Sequence, residues 1–370
     1  MSFGNISKHE KLKQIKLKVT FEHLKSSYIL QILFNFMQKD KALEIIRYNK
    51  RLQKRLNIGI DDYKELCQLI EIELKIADNK YGKFINISDK EKKYYHIYFD
   101  NSNNEIERNY LKEYEKVKMI KIIIDYQITS FNTLFQNCVC ISSIYFKRFY
   151  RNNITEMAGM FSYCSSLQEI NLSKFNTDNV TNMRYMFSGC SSLKKLDLFN
   201  FNSRNVTIMY NMFSYYSSLQ KKNLSNFNTN NVTDMSFMFF NCSSLRELNL
   251  SNFSTINVKY MGDMFSGFSS LKQLDLSNFN TNNVTEMSRM FFGCTSLKKL
   301  DLSNFNTNNV IYMNGMFAQC KSLKELKANF NTNNVADKRF MLDGCPNEIK
   351  KEFKNEDENL HFISSILSFF

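Results

Sequence analysis

The segment Val180–Asn205 reads VTNMRYMFSGCSSLKKLDLFNFNSRN, and its pattern of 26 residues recurs along much of the chain. Phe149, Phe175, Phe201, Phe227, Phe253, Phe279 and Phe305 are each 26 residues apart, and Phe330 follows after 25. Val180, Val206, Val232, Val258, Val284 and Val310 keep the same step, as do Met157, Met183, Met209, Met235, Met261, Met287 and Met313. A Met-Phe pair recurs from Met186-Phe187 to Met316-Phe317, and a leucine column runs from Leu167 to Leu323. So many matched columns are the mark of a repeat architecture.

Within one unit, Val180, Met183, Met186, Phe187 and Cys190 roughly mark one face of a short helix, with Gly189 placed to end it. An alternative reading has Val180–Met183 extended and only Met186–Cys190 helical. Leu196-Asp197-Leu198 alternates as a short strand does, and the Asn- and Ser-rich run after Phe201 reads as a turn. One unit alone cannot bury its Leu, Met and Phe. Stacked units can, because each covers its neighbour. The expected fold is therefore α/β: a solenoid of about eight units with parallel strands, spanning 126–346. Pro346, the one proline, breaks the pattern, so 347–370 reads as a C-terminal cap.

Residues 1–125 carry no such repeat. Phe21, Leu24, Tyr28, Ile32, Leu33 and Phe36 follow helical spacing, as do Ile45, Ile46, Asn49, Leu52 and Leu56. A third helix would carry Tyr63, Leu66, Ile70 and Leu74 behind a cap at Asp61 or Asp62. The expectation is a small, mainly helical N-terminal domain, with Lys80–Asn104 as loop or hairpin.

The run Asn-Leu-Ser-x-Phe-Asn-Thr-x-Asn-Val-Thr-x-Met-x-x-Met-Phe-x-x-Cys-x-Ser-Leu resembles the BspA-type leucine-rich repeat, a variety also described as a mycoplasma domain of unknown function. The resemblance covers about residues 130–345. It implies a leucine-rich solenoid that binds other proteins, and many members of that family are surface-exposed and adhesive. This sequence departs from those members in showing no signal peptide or lipobox.

The chain of 370 residues has 43% apolar and 23% charged residues, which supports a buried core and argues against wholesale disorder. Its 49 basic and 36 acidic residues give +13, and 13 basic against 4 acidic residues fall within 1–60. Lys8, Lys11, Lys13, Lys16 and Lys18 interrupt the N-terminus, and no stretch of about 18 apolar residues occurs. The expected compartment is the cytosol, with the cell surface as the alternative.

Cys138, Cys164, Cys190, Cys242, Cys294, Cys320 and Cys345 share one column, which could suggest disulfides or a metal strip. The same column holds Tyr216 and Phe268, which form neither, so it reads as reduced core cysteines. His9, His23, His96 and His361 stand apart from the repeat and from one another. Phosphate-binding loops and nucleophile elbows are absent from the sequence. No catalytic residue, cofactor or metal is expected.

The candidate partner-binding face lies along the strands. Lys194, Arg246, Lys272 and Lys298 form a basic stripe beside Asp197, Asn249, Asp275 and Asp301. A second candidate is the basic patch Arg47, Lys50, Arg51 and Lys54, which could meet nucleic acid or an anionic membrane. Lys222 occupies a slot shared with Ile170, Leu196, Leu248, Leu274 and Leu300, which predicts a packing defect or a snorkelling side chain. Asn179, Asn205, Asn231 and Asn283 head Asn-Val-Thr sequons that read as by-products of the repeat. The leading expectation is a monomeric, non-enzymatic scaffold for a protein ligand. The alternatives are a surface adhesin and an adaptor using the basic N-terminal segment.

Overall fold

The computed structural model describes residues 24, 26–27, 30–31, 49–58 and 69–354, apart from 126, 150–152, 199–200, 219–220 and 225–226. It divides into two compact units, Met1–Leu69 and Ile70–Phe370. In the first, helix α1 (Lys50–Arg55) is capped by Asn49, whose side chain accepts from the Leu52 N–H at 3.0 Å. Leu30, Leu52 and Leu56 are buried there.

The second unit is a mostly sheet-containing α/β structure with few helices among the described residues. It opens with β1 (Ile70–Ile76), β2 (Gly82–Lys83), β3 (Tyr95–Phe99), β4 (Tyr110–Leu111), β5 (Met119–Ile124) and β6 (Ile141–Arg148). Residues 70–124 are thus strands and loops with one 3-10 turn at Lys92–Tyr94, which corrects the expected helix through Ile70 and Leu74 and the mainly helical expectation for this part of 1–125. The reason is visible in β1. Ile70, Ile72 and Leu74 are buried and alternate with Glu71, Glu73 and Lys75. The spacing of four residues between Ile70 and Leu74 fits a strand's period of two as well as a helix turn. The buried Ile72 between them decides for the strand.

A five-stranded sheet runs in the order β3-β5-β1-β6-β7, with β7 at Glu169–Asn171. β1 pairs antiparallel with both β5 and β6, and β6 pairs parallel with β7, matching Ile144 to Ile170. Strand β6 therefore closes an antiparallel sheet on one edge and starts the repeat ladder on the other. Later repeats supply β8 (Lys221–Asn223), β9 (Glu247–Asn249), β10 (Lys299–Leu302) and β11 (Glu325–Ala328). β8 pairs parallel with β9 and β10 with β11, each strand meeting the residue 26 further on.

A second parallel line joins the repeats one bridge at a time, through Ser130, Glu156, Asn182, Ile208, Asp234, Tyr260, Glu286, Tyr312 and Asp337. After each bridge the chain turns, and the helix expected over Val180–Cys190 does not form. The backbone shows why. The N–H groups of Met183, Tyr185, Phe187 and Gly189 donate to Ile208, Tyr210, Met212 and Ser214 of the following repeat, at 2.9–3.1 Å. Those of Met186, Ser188 and Cys190 donate three residues back, to Met183, Tyr185 and Phe187. An α-helix would send every one of them four residues back. Tyr185 (φ 57°) and Gly189 (φ 70°) are left-handed at the third position of their turns, the type II pattern.

The apolar columns meet inside. Val180, Met183, Met186, Phe187, Cys190 and Leu193 are fully buried, and their counterparts in the other repeats match them closely. Phe135, Phe161, Phe187, Phe213, Phe239, Phe265, Phe291 and Phe317 stack face to face, with centroid steps of 5.4–6.0 Å and interplanar angles of 2–16°. The column cysteines are buried free thiols, and those of Cys164, Cys190, Cys242, Cys294, Cys320 and Cys345 donate to a backbone carbonyl of the preceding repeat at 2.9–3.2 Å. Burial pushes the Cys164 and Cys242 thiols up to about 12, far from the reactive thiolate range. Tyr216 and Phe268 are as buried as the cysteines they replace. Beyond Pro346, helix α2 (Asn347–Lys354) buries Ile349. The rest of the expected cap lies outside the described residues.

Lys222 does not snorkel. It is 8% exposed, and its ammonium donates to the Leu196 carbonyl at 2.8 Å, 5.9 Å from the Phe213 ring centre. Burial pushes its pKa down to about 8, against only a partial opposing pull from Asp197. A cation held this way opposes folding below pH 8, and the opposition fades as pH climbs towards the unfolded value near 10.5. Lys222→Leu should therefore raise the melting temperature at pH 7. The gap between the variant and the parent should narrow by about 3 kcal/mol between pH 7 and 10.5, as chemical denaturation would read. Gly189→Ala should cost about 1–3 kcal/mol, because its Cβ would lie 2.5 Å from the Tyr163 ring in a left-handed backbone. Adding Tyr163→Ala should recover the steric share of that loss and leave the backbone share.

Candidate interaction faces of the repeats

Each repeat is fixed to the next by side chains as well as backbone. The Thr255 hydroxyl donates to the Asn280 carbonyl at 2.8 Å and accepts from the Asn280 N–H at 2.7 Å. Thr177, Thr229 and Thr281 make the same double bond with the following repeat. The amides of Asn205, Asn231, Asn257, Asn283, Asn309 and Asn334 donate to carbonyls of the preceding repeat. The sequon asparagines Asn205, Asn231 and Asn283 are thus spent on these bonds. The Asn-Thr-x-Asn run, which reads as a plain turn in sequence, is the lateral glue of the array.

On this framework the strand face is interrupted, because the expected strands at Leu196–Leu198 and Leu274–Leu276 do not form and the parallel pairs lie in separate sheets. Lys194, Asp197, Arg246, Asn249, Lys272, Asp275, Lys298 and Asp301 are all exposed on it. The two stripes behave differently. In the amide and carboxylate stripe, Asn249, Asp275 and Asp301 accept from the backbone N–H two residues on, at 2.9–3.0 Å, and hold the turn that leaves the strand. The Ser277 N–H and hydroxyl lower the Asp275 pKa, and the Ser303 hydroxyl and N–H, with Lys327 beyond, lower that of Asp301. Lys327 also sits 3.7 Å from Asp301 and 3.6 Å from Glu325, which itself pairs with Lys299 at 2.7 Å.

The basic stripe has no such partners. Arg246, Lys272, Lys298 and Lys324 occupy four consecutive repeats, and none makes an ion pair or side-chain hydrogen bond among the described residues. Backbone bonds from the Lys298 N–H to Lys272 and from the Lys324 N–H to Lys298 place these three lysines over one another, and Arg246 holds the same position one repeat earlier. Like charges about 5 Å apart in water repel by roughly 0.8 kcal/mol per pair before salt screening.

The opposite, turn-bearing face carries a feature that sequence reading missed. Tyr185, Tyr210, Phe237, Phe240 and Tyr215 form a continuous surface chain of rings with centroids 5.3–5.5 Å apart. The signal was present at the variable positions of Met-x-x-Met and after Met-Phe, but it recurs in too few repeats to stand out as a column. Of the expected basic patch, Lys50, Arg51 and Lys54 are exposed on α1, and Arg47 lies outside the described residues. Arg55 turns inward, donating to the Leu24 carbonyl at 2.5 Å. Among the described residues no cluster of metal-ligating side chains occurs, and no helix is long and apolar enough to cross a membrane.

Parallel bridges, turn pairs and side-chain ladders of this kind define a stacked repeat protein. The family described as "Mycoplasma protein of unknown function, DUF285" matches residues 129–248 and 233–355, more than half of the chain, and the chain belongs to that family. This is the mycoplasma-type domain that the repeat motif resembles. No curated protein matches it. Among solved structures it is similar to a leucine-rich repeat protein from Bacteroides ovatus ATCC 8483, at 16% identity over 62% of this chain and 71% of that one, with a TM-score of 0.24.

The Asp stripe is structural where it caps turns, so charge and capping can be separated. Asp275→Ala should lower stability by about 1 kcal/mol, while Asp275→Asn should leave it nearly unchanged, because Asn249 caps the equivalent turn one repeat earlier. Thermal denaturation of the two variants at neutral pH reads the difference.

Proposed function

We propose that this chain is a non-enzymatic protein-interaction scaffold in which the repeats form a leucine-rich solenoid and the strand face docks another protein. The observation that carries the reading is the unpaired basic stripe on consecutive stacked repeats. Its cations stand in register on consecutive repeats, although carboxylates lie close by and pair with other residues. The leucine-rich motif supports the same reading, because arrays of this kind offer extended surfaces rather than pockets. The eight described cysteines, all free thiols, fit a reducing compartment and support a cytosolic site of action. Lys50, Arg51 and Lys54 remain a secondary surface with no geometry that favours a particular ligand.

A photo-crosslinking residue placed at Gln273 or Lys298 on the strand face, and at Arg184 on the turn face, tests the proposal in cells. Strand-face positions should yield one discrete protein adduct and Arg184 none. Adducts formed at Arg184 alone would move the docking surface to the turn face and overturn the reading.

A further inference from the structure

We infer that the basic stripe Arg246, Lys272, Lys298 and Lys324 receives an α-helix carrying a row of carboxylates at one-turn intervals. The inference rests on the strand-face reading above and names its partner. The stripe is a single file of one sign. The nearby carboxylates that could neutralise it are engaged elsewhere: Glu325 with Lys299 and Lys327, Asp275 and Asp301 with the turns that they cap, and Glu247, beside Arg246 in the chain, with a partner of its own. A linear anion aligned with the repeat axis would complete it.

Spacing selects the form of that anion. The stripe spans three repeat steps. Taking about 4.8 Å per step at the backbone and the 5.4–6.0 Å seen in the phenylalanine stack, its length is about 14–18 Å. Carboxylates at i, i+4, i+7 and i+11 of an α-helix span about 16.5 Å along one face, within that range. Four same-face carboxylates of an extended strand span about 20 Å and drift out of register with the cations. Flanking chemistry decides against other polyanions. Single-stranded nucleic acid is held by a basic track with aromatic platforms beside it. No aromatic residue flanks the stripe in these four repeats, and the Asp275 and Asp301 carboxylates beside it would repel phosphates. A membrane surface offers a plane of charge, and this same acidic row would face it. A helix can satisfy both rows, setting Lys, Arg or amide side chains against Asp275 and Asp301 next to its own acidic row.

Fluorescence anisotropy with the full-length chain tests this. The probes are a helical peptide with glutamates at those four positions, a peptide of equal composition with glutamates spread around the helix, and oligo-dT. The striped peptide should bind at least tenfold more tightly than the scattered one, and its affinity should fall with added salt. Charge reversal by Lys272→Glu with Lys298→Glu should weaken it at least tenfold without lowering the melting temperature, while Lys272→Arg should retain it. Equal affinity for both peptides, tighter binding of oligo-dT, or indifference to the charge reversal would overturn the assignment. If the striped peptide fails while crosslinks still form at Gln273 and Lys298, the helical partner is wrong and the docking face stands. If both fail, both readings fall.

Discussion

Backbone hydrogen bonds between a residue and the one 25 positions later set the geometry of the whole array. Met183 to Ile208, Phe187 to Met212 and Met287 to Tyr312 are examples. These bonds demand a constant repeat length wherever the chain turns. The single-residue deletion before Phe330 shows how strict the demand is. Leu302 still pairs with Ala328 in register, and beyond the deletion Met313 simply bonds 24 residues on, to Asp337. The lost residue therefore belongs to the turn after the strand, where shortening disturbs neither ladder.

Given that register, identical side chains from successive repeats must lie against one another. The core is then a set of like-on-like stacks: phenylalanine on phenylalanine, cysteine beneath cysteine, threonine bonded to the next repeat's backbone. This explains how the chain holds its turns without helices. Each turn leaves alternate N–H groups pointing along the axis, and only another copy of the same turn has carbonyls at the matching height. Left-handed positions are the cost of that arrangement. Gly189 and Gly293 meet it easily, while Tyr185, Phe237, Asp263 and Arg289 accept it in other repeats. The bonds on either side hold these residues there.

The apolar columns were legible in the sequence because burial repeats at fixed steps, and Lys222 stood out as a foreign residue in one of them. Local conformation was less legible, for two physical reasons. A spacing of three to four residues marks a helix face, yet a pair of turns returns its side chains to the core at nearly the same spacing, as Met183, Met186 and Cys190 show. In β1 the spacing between Ile70 and Leu74 suits both periods. The Thr and Asn ladders escaped for another reason. Each bond joins residues about 25 apart, so nothing in one unit reveals that its hydroxyl or amide is claimed by a neighbour.

The two faces of the array differ in what they leave unsatisfied. On the turn face the partly exposed rings of Tyr185, Tyr210, Phe237, Phe240 and Tyr215 pack edge to face or tilted on one another, so that strip completes itself. On the strand face the carboxylates and amides also find local partners, in the turns and in Lys299 and Lys327. Surface lysines that serve solubility alone gain most by standing apart, with both signs interspersed. Register denies Arg246, Lys272, Lys298 and Lys324 that freedom: a cation written into the repeat is copied into single file, and its repulsion is copied with it. The charge of the stripe is answered by no ion pair among the described residues, and an external row of opposite charge would relieve it along its whole length.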